Sequence, residues 1–279
     1  MDAKAVFDQV SAKTSRITTL SYSTSFSLGI KVFNQRFREP IYNIYGFVRF
    51  ADEIVDSFHA YNKKELFDRF RKDTWLSIDE GISLNPILNS FQKTVNQYGI
   101  ESELIESFLN SMEMDLFHES YDRKGFNDYV LGSAEVVGLM CLRVFCEGDD
   151  EKYQQLKGSA MKLGAAYQKI NFLRDLRKDY KELGRNYFPG LDISRFNEEG
   201  KKAIEMEIEE DFRMGYEGIT GLPKSVRFGV YLSYVYYYSL FNKIRNTSAD
   251  KIMEKRIRID NSKKYMLLLS SALWYKMSN

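Results

Sequence analysis

The chain has 279 residues, enough to bury a sizeable core as one large domain or two small ones. Lys and Arg total 40 against 39 Asp and Glu, a formal charge of +1, so no global field favours nucleic acid as a partner and any charged function is local. Aromatics reach 15 %, with 19 Tyr and 20 Phe, which supplies broad apolar walls with π faces, and only four prolines interrupt a composition that favours helices.

Met1-Asp2-Ala3-Lys4 leads into a mixed polar stretch, so no secretory signal is expected. Residues 2 to about 20 read as an amphipathic opening helix. The hydroxyl-rich stretch Ser21-Tyr22-Ser23-Thr24-Ser25-Phe26-Ser27 competes for backbone hydrogen bonds, which predicts a loop or helix end carrying Phe26. Pro40 suits a first helical turn and opens a second helix through Asp56. With Asp52 as origin, Tyr45, Arg49 and Asp56 lie within about 60° of one another at helical spacing. Phe47, Val48, Phe50, Ile54 and Val55 flank them, so two acids on this helix need a cation. The plainer reading is an Arg49–Asp52 surface pair, and Glu53 stands at the margin of the face as ligand or solvated residue.

Helices over residues 63–77, 86–98 and 101–118 read as scaffold, and His59 and His118 are isolated. Residues 129–138 begin a further helix whose Gly132, Ser133, Ala134 and Gly138 admit close approach of a neighbour, either a packed helix or a ligand. Cys141 and Cys146 sit too far apart along that helix to bridge, and reduced thiols in a cytoplasmic setting are the economical expectation.

A long helical pattern from about residue 151 carries Gln168, Asn171, Asp175 and Asp179 within an arc of roughly 80°. Ala165, Phe172, Leu176 and Leu183 occupy the adjacent arc, so the helix can pack while presenting a row of oxygens suited to a hard cation such as Mg²⁺. An ordinary solvated face with charge pairs is the alternative. Gly184 stops the helix and leaves Arg185 and Tyr187 on a loop beside that face. A charged helix over 196–218 and a helix after Pro223 containing Tyr234-Val235-Tyr236-Tyr237-Tyr238 follow, then Arg256, Arg258, Lys263 and Lys264 and a final apolar helix. The longest uncharged aromatic run, residues 228–242, is shorter than the ~18 residues that span a bilayer, which leaves peripheral membrane contact as the candidate mode. No repeat or long linker divides the chain, and one domain over residues 1–279 is the simplest account.

Two Asp-x-x-x-Asp motifs facing each other, with Asn171, could hold two or three Mg²⁺ ions and through them a diphosphate. Arg49, Arg174 and Arg185 would add charge-assisted bonds to phosphate oxygens. The departing diphosphate would leave an allylic cation, which aromatic faces attract without attacking.

The blocks Ser23-Thr24-Ser25-Phe26, Tyr45 to Asp56, Tyr129 to Gly138 and Gln168 to Asp179, followed by Gly184-Arg185-Asn186-Tyr187-Phe188-Pro189, resemble in order and spacing the squalene/phytoene synthase family, most like its bacterial phytoene synthases. The resemblance runs from about Ser21 to Lys264 and implies an all-α isoprenoid synthase fold, a helical bundle with a central cavity. It implies a prenyltransferase that condenses two prenyl diphosphates head to head through a cyclopropylcarbinyl diphosphate. By position Asp52, Asp56, Asn171, Asp175 and Asp179 take the metal roles, with Mg²⁺ expected and Mn²⁺ as the substitute. Arg49, Gln168, Arg174 and Arg185 bind diphosphate, with Ser23, Ser25 and Tyr45 as further contacts. Phe26, Tyr129, Val137 and Tyr187 line the prenyl cavity or steer the cation, and Tyr237 and Arg256 match more loosely. Glu53 and the Gln35 to Pro40 entry depart from the family pattern. The expected product is phytoene from two geranylgeranyl diphosphates, formed without NADPH. Squalene or dehydrosqualene from C15 substrates is the alternative, and a non-enzymatic helical assembly protein the remote one. A downstream desaturase and a membrane surface that takes up the product are the further partners considered.

Overall fold

The computed structural model describes residues 2–117 and 120–278, with the side chains at 24, 25, 261, 265 and 273–278 outside the described set. Among the described residues there is no β-strand, and thirteen α-helices follow one another. They are α1 (Ala3–Tyr22), α2 (Thr24–Lys31), α3 (Gln35–Asp56), α4 (Lys63–Glu80), α5 (Pro86–Tyr98), α6 (Ser102–Met114) and α7 (Arg123–Val130). A π-helical segment, Leu131–Glu135, joins α7 directly to α8 (Val136–Cys146). Then come α9 (Asp150–Glu182), α10 (Glu198–Ile219), α11 (Lys224–Arg245), α12 (Ala249–Glu254) and α13 (Asn261–Ser278).

Local chemistry sets most of these bounds. Asn62, Asn85, Asp122, Asp149 and Asn197 each accept a backbone N–H at a helix start. The second expected helix starts earlier than Pro40 suggests. Asn34 caps it by accepting the Arg36 N–H at 3.3 Å, so α3 begins at Gln35 and Pro40 lies buried inside it. The serine-rich stretch is a break of one extended residue, Ser23, which ends α1 and caps α2 through the Phe26 N–H at 3.3 Å.

The opening helix inverts the expected amphipathy. Its buried stripe is Ser11, Ser15 and Thr19, whereas Val6, Val10, Ile17 and Leu20 face solvent. Small hydroxyls are what fit, because Ser15 sits where a Cβ on Gly46 of α3 would come within 2.7 Å of its Oγ. Ser15 and Ser90 then share a 2.6 Å hydrogen bond that ties α1 to α5.

Two apolar clusters flank the molecule's longest helix. One is built on Phe37, Phe47, Phe67, Phe91 and Phe108, the other on Phe126, Phe172, Phe188, Phe212 and Phe241. Helix α9 packs on α8, the π segment, α10, α11 and α12, while α3 packs on α1, α4, α5 and α8. Along α9 the residues Ala160, Met161, Gly164, Tyr167, Gln168, Asn171 and Asp175 remain only half-buried, although both flanks of the helix are covered. The carboxylates lie at one end of that stripe.

The small residues at 132–138 serve helix packing. A Cβ on Gly132 would run into the Ser111 side chain and the Ser107 carbonyl of α6. The helical run Arg123–Cys146, which carries charges that the run at 228–242 lacks, is long and apolar enough to cross a bilayer. Just over half of its most apolar window is buried, 56 %, because α8 is sandwiched between α3, α6 and α9.

Candidate active site

Helices α3 and α9 carry the two acidic motifs, and the loop after α9 connects them. Gly184, at φ +68°, takes the left-handed turn that ends α9 and sends the chain back across its own last turn. Arg185 follows, buried, with its backbone N–H bonded to the Asp179 carbonyl at 2.8 Å. Its guanidinium donates to Asp56 on α3 at 2.6 Å, so one side chain spans the two motifs.

On α3, Arg49 pairs with Asp52 at 2.5 Å and also with Glu53, and Tyr22 lies under its guanidinium at 4.3 Å. The Arg49–Asp52 pair therefore forms, as the plainer reading held, but Asp52 stands among Asp56, Asp115 and Arg185 rather than on an open surface. Glu53 is not a solvated residue; it is held by Arg49 with a side chain 13 % exposed. Burial, and next the charge of Asp56, push the Asp52 carboxyl up to about 7. Tyr45, one turn before Arg49, stacks on Phe26 at 4.7 Å, and burial raises its phenol to about 12 although Ser23 hydrogen-bonds it.

On α9, Arg174 donates to Asp175 at 2.6 Å, and Arg256, arriving from the segment after α12, pairs with the same carboxylate at 2.5 Å. Asn171 donates weakly to Gln168 at 3.5 Å, while its buried Oδ1 has no hydrogen-bond partner. No side-chain hydrogen bond or ion pair engages Asp179 among the described residues. Burial, then the charges of Asp175 and Asp56, raise its carboxyl to about 7, which places Asp56 within electrostatic reach. Tyr237 of α11 lies against Asn171 and Arg174 and stacks on Tyr167 at 4.0 Å. The two looser C-terminal matches, Tyr237 and Arg256, thus both reach the acidic face.

Below the acids stands an aromatic wall. Tyr187 stacks on Phe172 at 4.2 Å and meets Tyr129 at 5.0 Å. Val137 is set back, packed against the first apolar cluster. Ser25 lies on α2 with its side chain outside the described residues, and His118 is outside them altogether.

One residue of this site escapes the sequence reading. Asp115, just past α6 in a stretch read as scaffold, accepts the Tyr129 phenol at 2.6 Å, Tyr187 at 3.0 Å and Tyr121 at 3.4 Å. Its backbone carbonyl accepts from Arg185 at 2.9 Å. The available signal was an acid inside the apolar run Met112, Met114, Leu116 and Phe117.

The donor set fits a hard divalent cation in chemistry. It is all oxygen, it contains one buried amide oxygen without a partner, and two of its acids are raised by burial and then by their neighbours' charge. Among the described residues no three acids converge on one point as a closed metal cage. Arginines stand against the acids instead.

The family model described as squalene/phytoene synthase matches residues 20–263. The chain belongs to the squalene/phytoene synthase family. It is a prenyltransferase-type enzyme of head-to-head prenyl diphosphate condensation, a family that uses divalent metal for diphosphate ionisation. The phytoene synthase of Arthrospira platensis is 26 % identical over 279 residues, covering 91 % of this chain and 89 % of the relative. The 4,4'-diapophytoene synthase of Staphylococcus haemolyticus is 27 % identical over 198 residues, covering 68 % of this chain and 65 % of the relative. A solved dehydrosqualene synthase in complex with ligand aligns at TM-score 0.82 and 19 % identity, over 99 % of this chain and 100 % of that one. That likeness establishes the all-α isoprenoid synthase fold.

Proposed function

We propose that this family member joins two geranylgeranyl diphosphates head to head into phytoene. The observation that carries the condensation chemistry is the pair of acidic motifs on α3 and α9, with Arg185 reaching from the α9 side to Asp56 at 2.6 Å. In this reading Asp52, Asp56, Asn171, Asp175 and Asp179 would hold Mg²⁺. The ions, when bound, supply charge that stabilises a departing diphosphate. Arg49, Gln168, Arg174, Arg185 and Arg256 bind phosphate oxygens, and Ser23, Ser25 and Tyr45 complete that end. Tyr129, Tyr187, Phe172 and Phe26 face the prenyl chains with ring surfaces that attract an allylic cation and exclude water. Val137 packs behind them along the tail.

The relatives support a C20 substrate through the phytoene synthases and a C15 substrate through the diapophytoene synthase. The fuller coverage of the Arthrospira platensis enzyme favours C20. Purified protein incubated with Mg²⁺ and C15 or C20 diphosphate, each with and without NADPH, tests this by product identification. Phytoene from C20, unchanged by NADPH, is expected. Dehydrosqualene, or squalene appearing only with NADPH, would move the assignment to C15. We also assign the enzyme to the cytoplasm in peripheral contact with a membrane that takes up its apolar product for a downstream desaturase. Failure to float with liposomes would refute the membrane contact.

A further inference from the structure

The polar contacts of the Asp115 carboxylate land on the wall tyrosines Tyr129 and Tyr187, on Tyr121 stacked against Tyr187, and on Arg185. The side chain is 2 % exposed, and it accepts three phenol hydrogens, from Tyr129, Tyr187 and Tyr121. The Arg185 guanidinium stands 3.7 Å from its Oδ1 and donates to its main-chain carbonyl at 2.9 Å. Desolvating a carboxylate is unfavourable, and an apolar side chain of similar volume would serve packing as well or better. Burial raises this acid to about 6, with Arg185 the principal group holding it down. What the carboxylate supplies is direction. A phenol that donates to a buried carboxylate has its hydroxyl rotation fixed and its oxygen made more electron-rich. Both properties strengthen the attraction of the Tyr129 and Tyr187 rings, 5.0 Å apart, for a cation beside them. The Asp115 main-chain carbonyl holds one edge of Arg185 while Asp56 holds another, and the Asp115 carboxylate adds a counter-charge at 3.7 Å.

We infer that Asp115 is a positioning residue that locks the cation-facing tyrosines Tyr129 and Tyr187 to the Arg185 end of the diphosphate clamp. The inference rests on the proposed condensation reaction, and it predicts that loss of the carboxylate frees the aromatic wall while the diphosphate clamp, with Arg185 still held by Asp56 and by the Asp115 main chain, persists.

The test is Asp115→Asn, which keeps the shape and one acceptor but directs an N–H₂ group at a phenol that formerly donated. Steady-state kinetics with C20 diphosphate and Mg²⁺ should show kcat reduced ~10- to 100-fold, the loss typical of removing a group that orients a working side chain. KM should stay within about threefold of the original, because Arg174, Arg256 and the Arg185–Asp56 pair remain. The melting temperature should fall by a few degrees while the protein stays folded at the assay temperature, since a buried phenol loses its acceptor and Arg185 a counter-charge. Combining Asp115→Asn with Tyr187→Phe should lower kcat no further than the larger single effect, because both act through one contact. A lowered melting temperature with kcat falling only as the folded fraction falls would leave Asp115 a structural cap and overturn the inference. So would multiplicative losses in the double variant. If Asp115→Asn does not fold, Tyr129→Phe with Tyr187→Phe removes the phenol donors while leaving Asp115 in place. The same kcat loss at constant KM supports the inference, and an unchanged kcat overturns it. Wild-type protein that releases no diphosphate from either substrate overturns the reaction and the inference together. Wild-type activity matched by Asp115→Asn overturns the inference alone.

Discussion

Asp179 is expected to weaken the fold it serves, and Asp179→Asn should separate the two effects. Its carboxyl is raised from 3.8 to about 7, first by burial and then by the charges of Asp175 and Asp56. The folded state therefore binds more protons than the unfolded state between those values, and stability falls as pH rises through that window. At about 1.36 kcal/mol per pH unit the full penalty above pH 7 would be ~4 kcal/mol, and solvent access to a half-buried group reduces it to ~2 kcal/mol. Asparagine has the same shape and does not ionise. In metal-free protein at pH 8, Asp179→Asn should raise the melting temperature by ~4 °C or more, while Mg²⁺-dependent diphosphate release falls at least ~100-fold. The stabilisation should shrink as the pH is lowered from 8 towards 4, where both proteins are neutral at this position. Thermal melts across that range, with chelator present, measure it. A melting temperature lowered by the substitution, or a difference independent of pH, would refute the assignment of a proton-holding, charge-strained acid at this position.

Two further substitutions probe the frame and the clamp. Gly132→Ala drives a methyl group into the Ser111 side chain and the Ser107 carbonyl, so a loss of ~3 kcal/mol is expected in denaturant unfolding, and a change under 1 kcal/mol would show that α6 yields freely. Arg256→Ala removes a side chain that is 45 % exposed and paired with Asp175. Stability should change by less than ~1 kcal/mol while KM for the prenyl diphosphate rises ~10-fold, and an unaltered KM would remove Arg256 from the clamp.

What the sequence made legible follows from the range of each interaction. The acidic faces at 52–56 and 168–179 could be read because helical period alone determines which side chains share an arc. The same holds for the Gly184 stop, which depends on one residue's backbone freedom. Asp115 could not be read this way. Its partners lie 14 positions away at Tyr129, 70 at Arg185 and 72 at Tyr187, and no local pattern encodes those separations. Helix α1 misled for a related reason. Its apolar residues suggested the buried side, but the glycine opposite Ser15 fixes the helices at a spacing that only small side chains fit. Pro40 failed as a start signal because Asn34, six residues earlier, competes as a cap and wins by completing a hydrogen bond.

The arginines against the acids bear on the order in which ligands bind. Asp52 is paired with Arg49, Asp56 with Arg185, and Asp175 with both Arg174 and Arg256. In that arrangement the acids are partly neutralised, and a divalent cation arriving alone must displace guanidinium groups that have nowhere better to go. A diphosphate provides the alternative partner, since each guanidinium can turn to its oxygens and leave carboxylate lone pairs behind. On the proposed reading, Mg²⁺ and diphosphate therefore bind with positive coupling. By linkage each must tighten the other by the same factor, expected to be at least tenfold. Calorimetric titration of inorganic diphosphate with and without Mg²⁺, and of Mg²⁺ with and without diphosphate, measures both arms after correction for the Mg²⁺–diphosphate complex in solution. Arg185→Gln should reduce the coupling, because it removes a side chain that pairs with the α3 acid Asp56 from the loop after α9. Independent binding of the two ligands to the unsubstituted protein would mean that the arginines are fixed counter-charges and that the diphosphate is held elsewhere.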